Sequence, residues 1–577
     1  MKIKSIGIEK FRSIDKALVN VCDLTALVGS NNVGKSGLLR AVNSFFNLET
    51  ERENFRLGSH DYSVRGIPKI DILFKNVPTR KIYRDIMLAD NQIHLRLTFD
   101  SSKKLRDKYQ FKKNGKYFEL TKDVLSQVFK DVQFVYIPTN RDYKQTLFEE
   151  KTLLKELLDV YLKKHTLKRN RIKPKVEDAV KYFNKNALQK ASAELQKLYP
   201  LNSDFKISID YDSNDIDYHI LLRDLCIKVN DGVKNFKLVD TGSGIQSLVN
   251  IAIYRLLSSL KHTNFIIGIE EPEINLHPQS QRELVNEFRK TSINDSIQII
   301  FTTHSAVVID QLTHNEIISF TKIKENKRGF KTLLRQVPQN FWELHNLDFD
   351  GYYQFYQYHN SDFFFAKFVI IVEGKGDVEV VKHLLERAKI DIHLEGISIL
   401  ALNGVQELKY PFHLLKHLSI PYLIIVDKDF FLPYLNDKKE DSRTNGGFFK
   451  YKSQYQIDNI EIIESIISDE AERTLLIEQL TTNHTSALNT LEKYRFVCMR
   501  YTLEVDLVDC ANAAALYYDM FQLTEDNQSK KHLLENVGRG IKKPENIMKV
   551  LRELENRNLP YAYSRIKSIS KKLIHQS

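Results

Sequence analysis

The residues Gly29-Ser30-Asn31-Asn32-Val33-Gly34-Lys35-Ser36 fit the pattern G-x-x-x-x-G-K-[ST] in full. An apolar run, 24–28, precedes them. A helical pattern follows, with Leu38, Leu39, Ala41, Val42, Phe45 and Phe46 on one face. That strand–loop–helix setting is what phosphate binding requires: the glycines let backbone N–H groups, those of Asn31, Asn32 and Gly34 among them, wrap phosphates at a helix N-terminus. Lys35 is placed to reach the β- and γ-phosphates, and the Ser36 hydroxyl to ligate Mg²⁺. The chain is expected to bind a nucleoside triphosphate.

Three downstream segments carry chemistry for the same ligand. The run 265–273 is a buried-strand pattern ending in Glu270-Glu271-Pro272-Glu273. Glu270 stands where an aspartate usually holds Mg²⁺ through water, so the metal arm is one methylene longer. Glu271 is placed to polarise the attacking water. The run 297–301 ends in Thr302-Thr303-His304-Ser305, and His304 is placed to sense a γ-phosphate from a strand end. Between them and the glycine loop lies Asp240-Thr241-Gly242-Ser243-Gly244-Ile245-Gln246-Ser247, ahead of a helical run. Ser243, Gly244 and Gln246 there offer a hydroxyl, N–H groups and an amide at a helix N-terminus.

A second constellation starts at 368–377, where an apolar strand delivers Glu373 to a glycine turn and a helix. The run 397–402 is another strand, and 422–426 a third, ending in Asp427-Lys428-Asp429. Three βα units with acids at the strand ends describe a doubly wound parallel sheet, whose ligands bind at that edge. Alternation in D-x-D puts Asp427 and Asp429 on one side of an extended chain. With Glu373 they form an all-oxygen set, suited to Mg²⁺ or Mn²⁺ rather than zinc. Two such metals roughly 3.5–4 Å apart can activate water and neutralise a leaving oxygen in phosphodiester cleavage.

The order of the first four segments resembles an ABC-type ATPase. The opening residues 2–13, with Phe11-Arg12-Ser13, look like the first strand of chromosome-maintenance and recombination ATPases. That resemblance implies two heads sandwiching two ATP molecules, with Ser243 and Gly244 completing the partner's site. The glutamate–glycine turn followed by D-x-D resembles a Toprim domain. A Toprim domain C-terminal to such an ATPase is the architecture of the OLD (overcoming lysogenization defect) family, which includes the Gabija defence nuclease and retron-associated OLD effectors. The resemblance covers residues 1–547. It implies that Glu504, in Thr502-Leu503-Glu504-Val505-Asp506-Leu507, is a metal ligand beside Glu373, Asp377, Asp427 and Asp429. It also implies a catalytic lysine in Gly538-Arg539-Gly540-Ile541-Lys542-Lys543-Pro544: Lys543, or Lys542 if the register shifts by one.

The fold class expected is α/β: an ATPase head over 1–345 with a helical, basic insertion at about 145–205, then a Toprim domain with C-terminal helical elements over 346–577. A prior of about 150 residues per domain gives three to four domains for this length. Net charge is +11, which favours polyanions. Lys163, Lys164, Lys168, Arg169, Arg171, Lys173 and Lys175 crowd the insertion, where Pro174 is expected to start a helix. Two readings stand there: a dimerisation arm, or a surface that tracks phosphates. The aromatics Tyr352, Tyr353, Phe355, Tyr356, Phe363, Phe364 and Phe365 at the domain join are expected to pack rather than stack bases. Asp61-Tyr62 is a weak candidate for a Q-loop equivalent.

Four cysteines with no C-x-x-C spacing, no apolar run of membrane length and no leader pattern fit a reduced cytoplasmic protein with no membrane contact. The function expected is an ATP-binding, ATP-hydrolysing and metal-dependent DNA endonuclease, acting in antiphage defence. It is expected to form a homo-oligomer (a dimer or a dimer of dimers), with a helicase or reverse transcriptase as a possible partner protein. The alternative is a non-cleaving ATP-driven DNA clamp or sensor whose Toprim domain is vestigial.

Overall fold

The computed structural model describes the chain apart from residues 57–66, 100–106, 140–142, 199–225, 231–233, 262, 295–296, 326–328, 349–360, 403, 437 and 577. Asp61-Tyr62 and the aromatics at 352–356 lie outside the described residues. The chain divides into two compact units, Met1–Leu334 and Arg335–Ser577. The division falls ahead of 345/346, and three rings lie between the two positions. Phe341, Trp342 and His345 follow the last strand of the first unit, yet they pack on Tyr410, His413 and His417 of the second.

Strands of the first unit are β1 (Lys2–Phe11), β2 (Ile14–Asn20), β3 (Leu24–Val28), β4 (Lys69–Lys75), β5 (Ile93–Thr98), β6 (Lys108–Lys113), β7 (Lys116–Glu119), β8 (Val132–Ile137), β9 (Lys228–Asn230), β10 (Asn235–Lys237), β11 (Asn264–Glu270), β12 (Gln298–Thr303), β13 (Ile317–Glu325) and β14 (Gly329–Arg335). Two six-stranded sheets form, β2-β1-β4-β5-β6-β7 and β14-β13-β3-β12-β11-β8. The first is antiparallel and alternates, with Ile3, Ile6, Ile8 and Phe11 of β1 turned inward. In the second, β13, β3, β12, β11 and β8 run parallel. Its central strands are mostly apolar, as strands covered on both faces are; all five residues of β3 are buried. The glycine-loop helix, Lys35–Phe46, sets Leu38, Leu39, Val42 and Phe45 into this core.

The basic insertion is helical, over Tyr143–Lys164, Thr166–Phe183 and Gln189–Leu198, with a π-turn at Asn184–Leu188. Pro174 does not start a helix; it lies inside Thr166–Phe183. Good helix formers ahead of it (Leu167, Lys168, Arg169, Arg171) begin the helix two turns earlier. The ring sits on the exposed face, where it removes one intrahelical bond, a penalty of roughly 3 kcal/mol.

The second unit is built on β15 (Phe368–Val372), β16 (Ile397–Ala401), β17 (Tyr422–Val426) and β18 (Phe496–Cys498), in the order β16-β15-β17-β18, all parallel. Helices Lys375–Arg387 and Lys409–Leu418 make the crossovers, and helices from Ile460–Ile466 to Tyr561–Gln576 complete the unit. The three βα units and helical C-terminal region expected from sequence are present. The four cysteines are free. Among the described residues, no helix is long and apolar enough to cross a membrane.

Candidate nucleotide and metal sites

The glycine loop is shaped by what a side chain would strike. Gly34 caps the helix Lys35–Phe46 with φ +102°, and a Cβ there would lie 2.7 Å from both Ser13 Oγ and Thr332 Oγ1. At Gly29 a Cβ would meet the Phe320 carbonyl oxygen at 2.4 Å. Only glycine fits either position. Asn31 and Asn32 are exposed on the loop, Asn32 with φ 60°, and Ser36 is half-buried.

Lys35 is buried and turned back on its own loop. Its Nζ donates to the carbonyl oxygens of Gly29 and Ser30, both at 2.9 Å, and to His304 Nε2 at 2.7 Å. Burial lowers its pKa to about 8, against the raising pull of Glu271, Glu273 and Glu270. Burial, then the Lys35 charge, lowers His304 to about 4, so the imidazole is neutral and accepts. Glu271 Oε1 lies 3.5 Å from the same His304 nitrogen. The Glu271 backbone is left-handed, φ 43°, and its N–H donates to Thr302.

Glu270 accepts from Thr139 N–H at 3.2 Å and Thr139 Oγ1 at 3.3 Å through Oε2, and the buried Tyr136 hydroxyl lies beside it. Oε1 meets no donor at good hydrogen-bonding geometry, which leaves it open to a cation or its water. The longer glutamate arm is compatible with a Mg²⁺ role. Sequence reasoning missed a role for Glu273. It is buried and accepts from Thr303 Oγ1 at 2.7 Å and His304 N–H at 2.9 Å, which fixes the strand end that carries His304. The third acid of the Glu-Glu-Pro-Glu run was the available signal.

Ser243 and Gly244 open the helix Ser243–Lys261, as expected. Gln246 behaves differently: its amide is buried and donates to the Thr241 carbonyl at 2.9 Å. That bond closes the loop in front of the helix.

In the second unit the strand ends gather Glu373, Asp427 and Asp429, with one oxygen of each within 4.8 Å of the others. The Asp427 N–H donates to Glu373 Oε1 at 2.7 Å, and Leu503 N–H, at the N-terminus of helix Leu503–Asp509, donates to Asp427 Oδ1 at 3.0 Å. Tyr434 donates its hydroxyl to Asp429 Oδ2 at 2.8 Å, while Asp429 Oδ1 is buried and unpartnered. No basic side chain forms an ion pair with these three acids among the described residues. Burial, then the neighbouring acids Asp429 and Asp377, raises Glu373 to about 8. Burial, Glu373 and Glu504 raise Asp427 well above the carboxylate range.

Asp377 and Glu504 stand behind this triad. Asp377 Oδ2 accepts from Gly374 N–H at 2.9 Å and caps the helix Lys375–Arg387. Burial and Glu504 raise its pKa to about 6. Glu504 Oε1 lies 3.4 Å from Lys542 Nζ. Lys543 instead occupies the cap position of helix Pro544–Glu553 and is exposed. Of the two lysines, Lys542 is the one that reaches the acids. Asp506 is structural: its oxygens accept from Arg500 and Tyr501 N–H, each at 2.8 Å. Glu461 pairs with Lys409 and Glu464 with Arg473, at 2.6 and 3.9 Å.

A convergence of buried carboxylates, with an orphaned oxygen and no ion-paired cation among the described residues, is the donor set of a hard divalent cation. The residues fit Mg²⁺ or Mn²⁺.

Residues 1–82 and 67–309 match the family described as AAA ATPase domain, and 364–429 match the family described as Overcoming lysogenization defect protein-like, TOPRIM domain. An OLD nuclease of Thermus scotoductus is 27% identical over 190 residues, 33% of this chain and 36% of that one. The Old nuclease of Escherichia phage P2 is 22% identical over 479 residues, 76% of this chain and 79% of that one. The endonuclease GajA of Bacillus cereus is 27% identical over 180 residues, 28% of this chain and 26% of that one. The chain thus spans about a third of the length of the first of these relatives. With the nucleotide loop in one unit and the carboxylate triad at the sheet edge of the other, the chain belongs to the AAA ATPase domain family and carries the OLD-like Toprim domain behind it, as an OLD-family protein.

Proposed function

We propose that the protein is an ATP-regulated, divalent-metal-dependent DNA endonuclease that serves in defence against phage. The observation that carries the reading is the triad Glu373, Asp427 and Asp429, which forms no ion pair with a basic side chain among the described residues and whose Asp429 Oδ1 has no hydrogen-bond partner there. Resemblance to proteins named OLD nuclease and endonuclease GajA supports it. Bound Mg²⁺ or Mn²⁺ would supply an activated water and charge neutralisation in phosphodiester cleavage.

The chain's own residues do the rest. Glu373, Asp427 and Asp429 hold the ion, with Asp377 and Glu504 completing the acidic surround. The Leu503 and Asp427 amides fix the two strand-end carboxylates. Lys542, held at Glu504, is the cation placed to meet charge developing on the phosphate. In the ATPase unit Lys35 exchanges its carbonyl partners for phosphate oxygens, and Ser36 and Glu270 face the accompanying Mg²⁺. Glu271 orients water, and His304, neutral and fixed by Glu273, responds to the γ-phosphate. Ser243 and Gly244 complete the site of a second copy, so the active form is a homodimer or a dimer of dimers in the cytoplasm.

The test is cleavage of plasmid and linear DNA by the full-length protein with Mg²⁺ or Mn²⁺, with EDTA, and by Asp427→Ala. Cleavage is expected only with metal and intact Asp427, while the variant keeps its DNA binding. Metal-independent cleavage, or cleavage that survives Asp427→Ala, would overturn the assignment. DNA binding and ATP hydrolysis without cleavage in any metal would leave the clamp.

A further inference from the structure

A pocket of about 330 Å³ lies on the other side of the turn that carries the acids, lined by Lys428, Phe449, Lys450, Tyr451, Arg500 and Tyr501. Its floor is Lys428, the middle residue of Asp427-Lys428-Asp429. The turn sends the two carboxylates to the triad and the ammonium the opposite way. Lys428 is 7% exposed, its Nζ lies 5.2 Å from the centre of the Tyr451 ring, and it forms no ion pair among the described residues. A lysine this buried ordinarily has an acidic partner. The acid near enough to serve, Asp506, is spent on the Arg500 and Tyr501 amides, and Arg500 is paired with Asp509 at 2.9 Å. Lys450 is exposed at the rim.

The walls are aromatic. Tyr501 stacks on Phe448 with ring centres 5.1 Å apart, so its ring is held flat. Tyr451 stacks on Tyr434 at 5.2 Å, and Tyr434 is the residue that donates to Asp429. One ring pair therefore links the pocket wall to the metal triad.

We propose that this pocket takes one unpaired nucleotide of the strand being cut, its phosphate at Lys428 and Lys450 and its base against Tyr501 and Phe449. The inference rests on the nuclease reading and narrows its substrate to single-stranded, frayed or locally unpaired nucleic acid. A buried cation with an aromatic ring beside it but no acid paired to it among the described residues calls for an anion, and a phosphate is the anion that arrives on a nuclease substrate. Flat rings beside it accept any base face and contribute by stacking, without sequence selection. A paired base must first be unstacked and flipped to enter, a penalty that an unpaired base does not carry, which makes the pocket a discriminator of strand state.

The experiment measures binding of a fluorescein-labelled oligothymidylate and of its duplex with oligoadenylate. It uses the full-length protein in EDTA, where cleavage plays no part. Wild type, Lys428→Met, Lys450→Gln and Tyr501→Leu are compared, with thymidine monophosphate and inorganic phosphate as competitors. Lys450 is at the rim, so its variant reports on the pocket even if Lys428→Met fails to fold. Each lysine variant is expected to weaken single-strand binding about tenfold, the effect of one lost charged contact, with the log–log salt slope falling by about 0.7 per contact. Thymidine monophosphate should compete more strongly than phosphate, and only in proteins with Tyr501. Unchanged single-strand affinity in Lys450→Gln and Tyr501→Leu, or no competition by thymidine monophosphate, would overturn the proposal. Because binding is read without metal, loss of binding in the variants of a protein that cuts nothing would retain the pocket and remove the nuclease. Normal binding in variants of a protein that does cut would do the reverse.

Discussion

Both phosphate-handling sites stand at the C-terminal edge of a parallel sheet, the usual place for a ligand in α/β folds, yet they treat charge in opposite ways. In the ATPase unit the central cation is satisfied by the chain itself. Lys35 donates to two carbonyls and His304, and three glutamates lie close enough to favour its charge. In the Toprim unit the central anions are not. Three acids meet with amide and hydroxyl donors but, among the described residues, no ion-paired cation, and burial with the neighbouring acids raises Glu373 and Asp427. On the proposed function, the first site would exchange partners as nucleotide comes and goes, and the second would hold a metal throughout.

The sharpest way to break the comparison is to remove one acid without removing volume. Asp429→Asn should lower cleavage by at least about a thousandfold, the upper range for losing one preorganised charge stabiliser. It should also raise the melting temperature in EDTA, because a like charge is gone from a buried cluster. Differential scanning calorimetry with and without Mg²⁺ reads this directly. A variant that melts lower in EDTA would mean that the acids are already compensated by the protein.

The ATPase site should respond differently. Lys35→Ala is expected to weaken ATP binding about a hundredfold, since charged contacts of a buried cation are lost, while metal-free stability changes little at Asp429 and its neighbours. Glu271→Gln should bind ATP normally and hydrolyse it slowly, prolonging the closed dimer. If nucleotide gates the nuclease, the two variants shift cleavage in opposite directions. Equal cleavage in both, with and without ATP, would show the units to be uncoupled.

Motifs whose spacing is set by one loop or one strand end were legible in the sequence. The glycine loop, Glu270-Glu271, His304, Glu373 and Asp427/Asp429 all stand where local pattern places them. What escaped depends on tertiary packing. Gln246 lies in a motif suited to ligands, but burial turns its amide onto Thr241. Pro174 looks like a helix start, but an exposed helix can carry it. The rings of Phe341, Trp342 and His345 pack on a helix of the second unit, a preference that no local signal records. Lys428 was read only as the spacer of D-x-D, since periodicity cannot show that a lysine is buried without a partner.

The lysine beside the acids gives a smaller effect. Lys542→Ala should lower kcat about tenfold to a hundredfold, with DNA affinity and its salt slope nearly unchanged, as expected of a group that acts on the transition state. Lys543→Ala should change neither, because among the described residues Lys542, not Lys543, forms the ion pair with Glu504. Single-turnover cleavage beside equilibrium binding separates the two. The reverse ranking would shift the register by one residue and place Lys542 as a structural partner of Glu504.

The smallest expected effect is in pH, and here the two sites should slope in opposite directions. His304 has its pKa lowered from 6.5 to about 4 by burial and by Lys35. The folded state therefore resists protonation more than the unfolded chain does. Its contribution is intact above the unfolded value and is lost as pH falls from about 6.5 toward about 4. Glu373 has its pKa raised from 4.5 to about 8. The folded state holds that proton more tightly, so its contribution is intact below about 4.5 and is lost as pH rises toward about 8. In EDTA the melting temperature of Glu373→Gln should lose the decline on the alkaline side, and that of His304→Asn the decline on the acid side. Each should amount to a few degrees, the scale of one buried group in a protein of this size. Mg²⁺ should flatten the alkaline limb of the wild type by favouring the ionised acids, and leave the acid limb alone. If metal flattened neither limb, the raised carboxylates would not be its ligands.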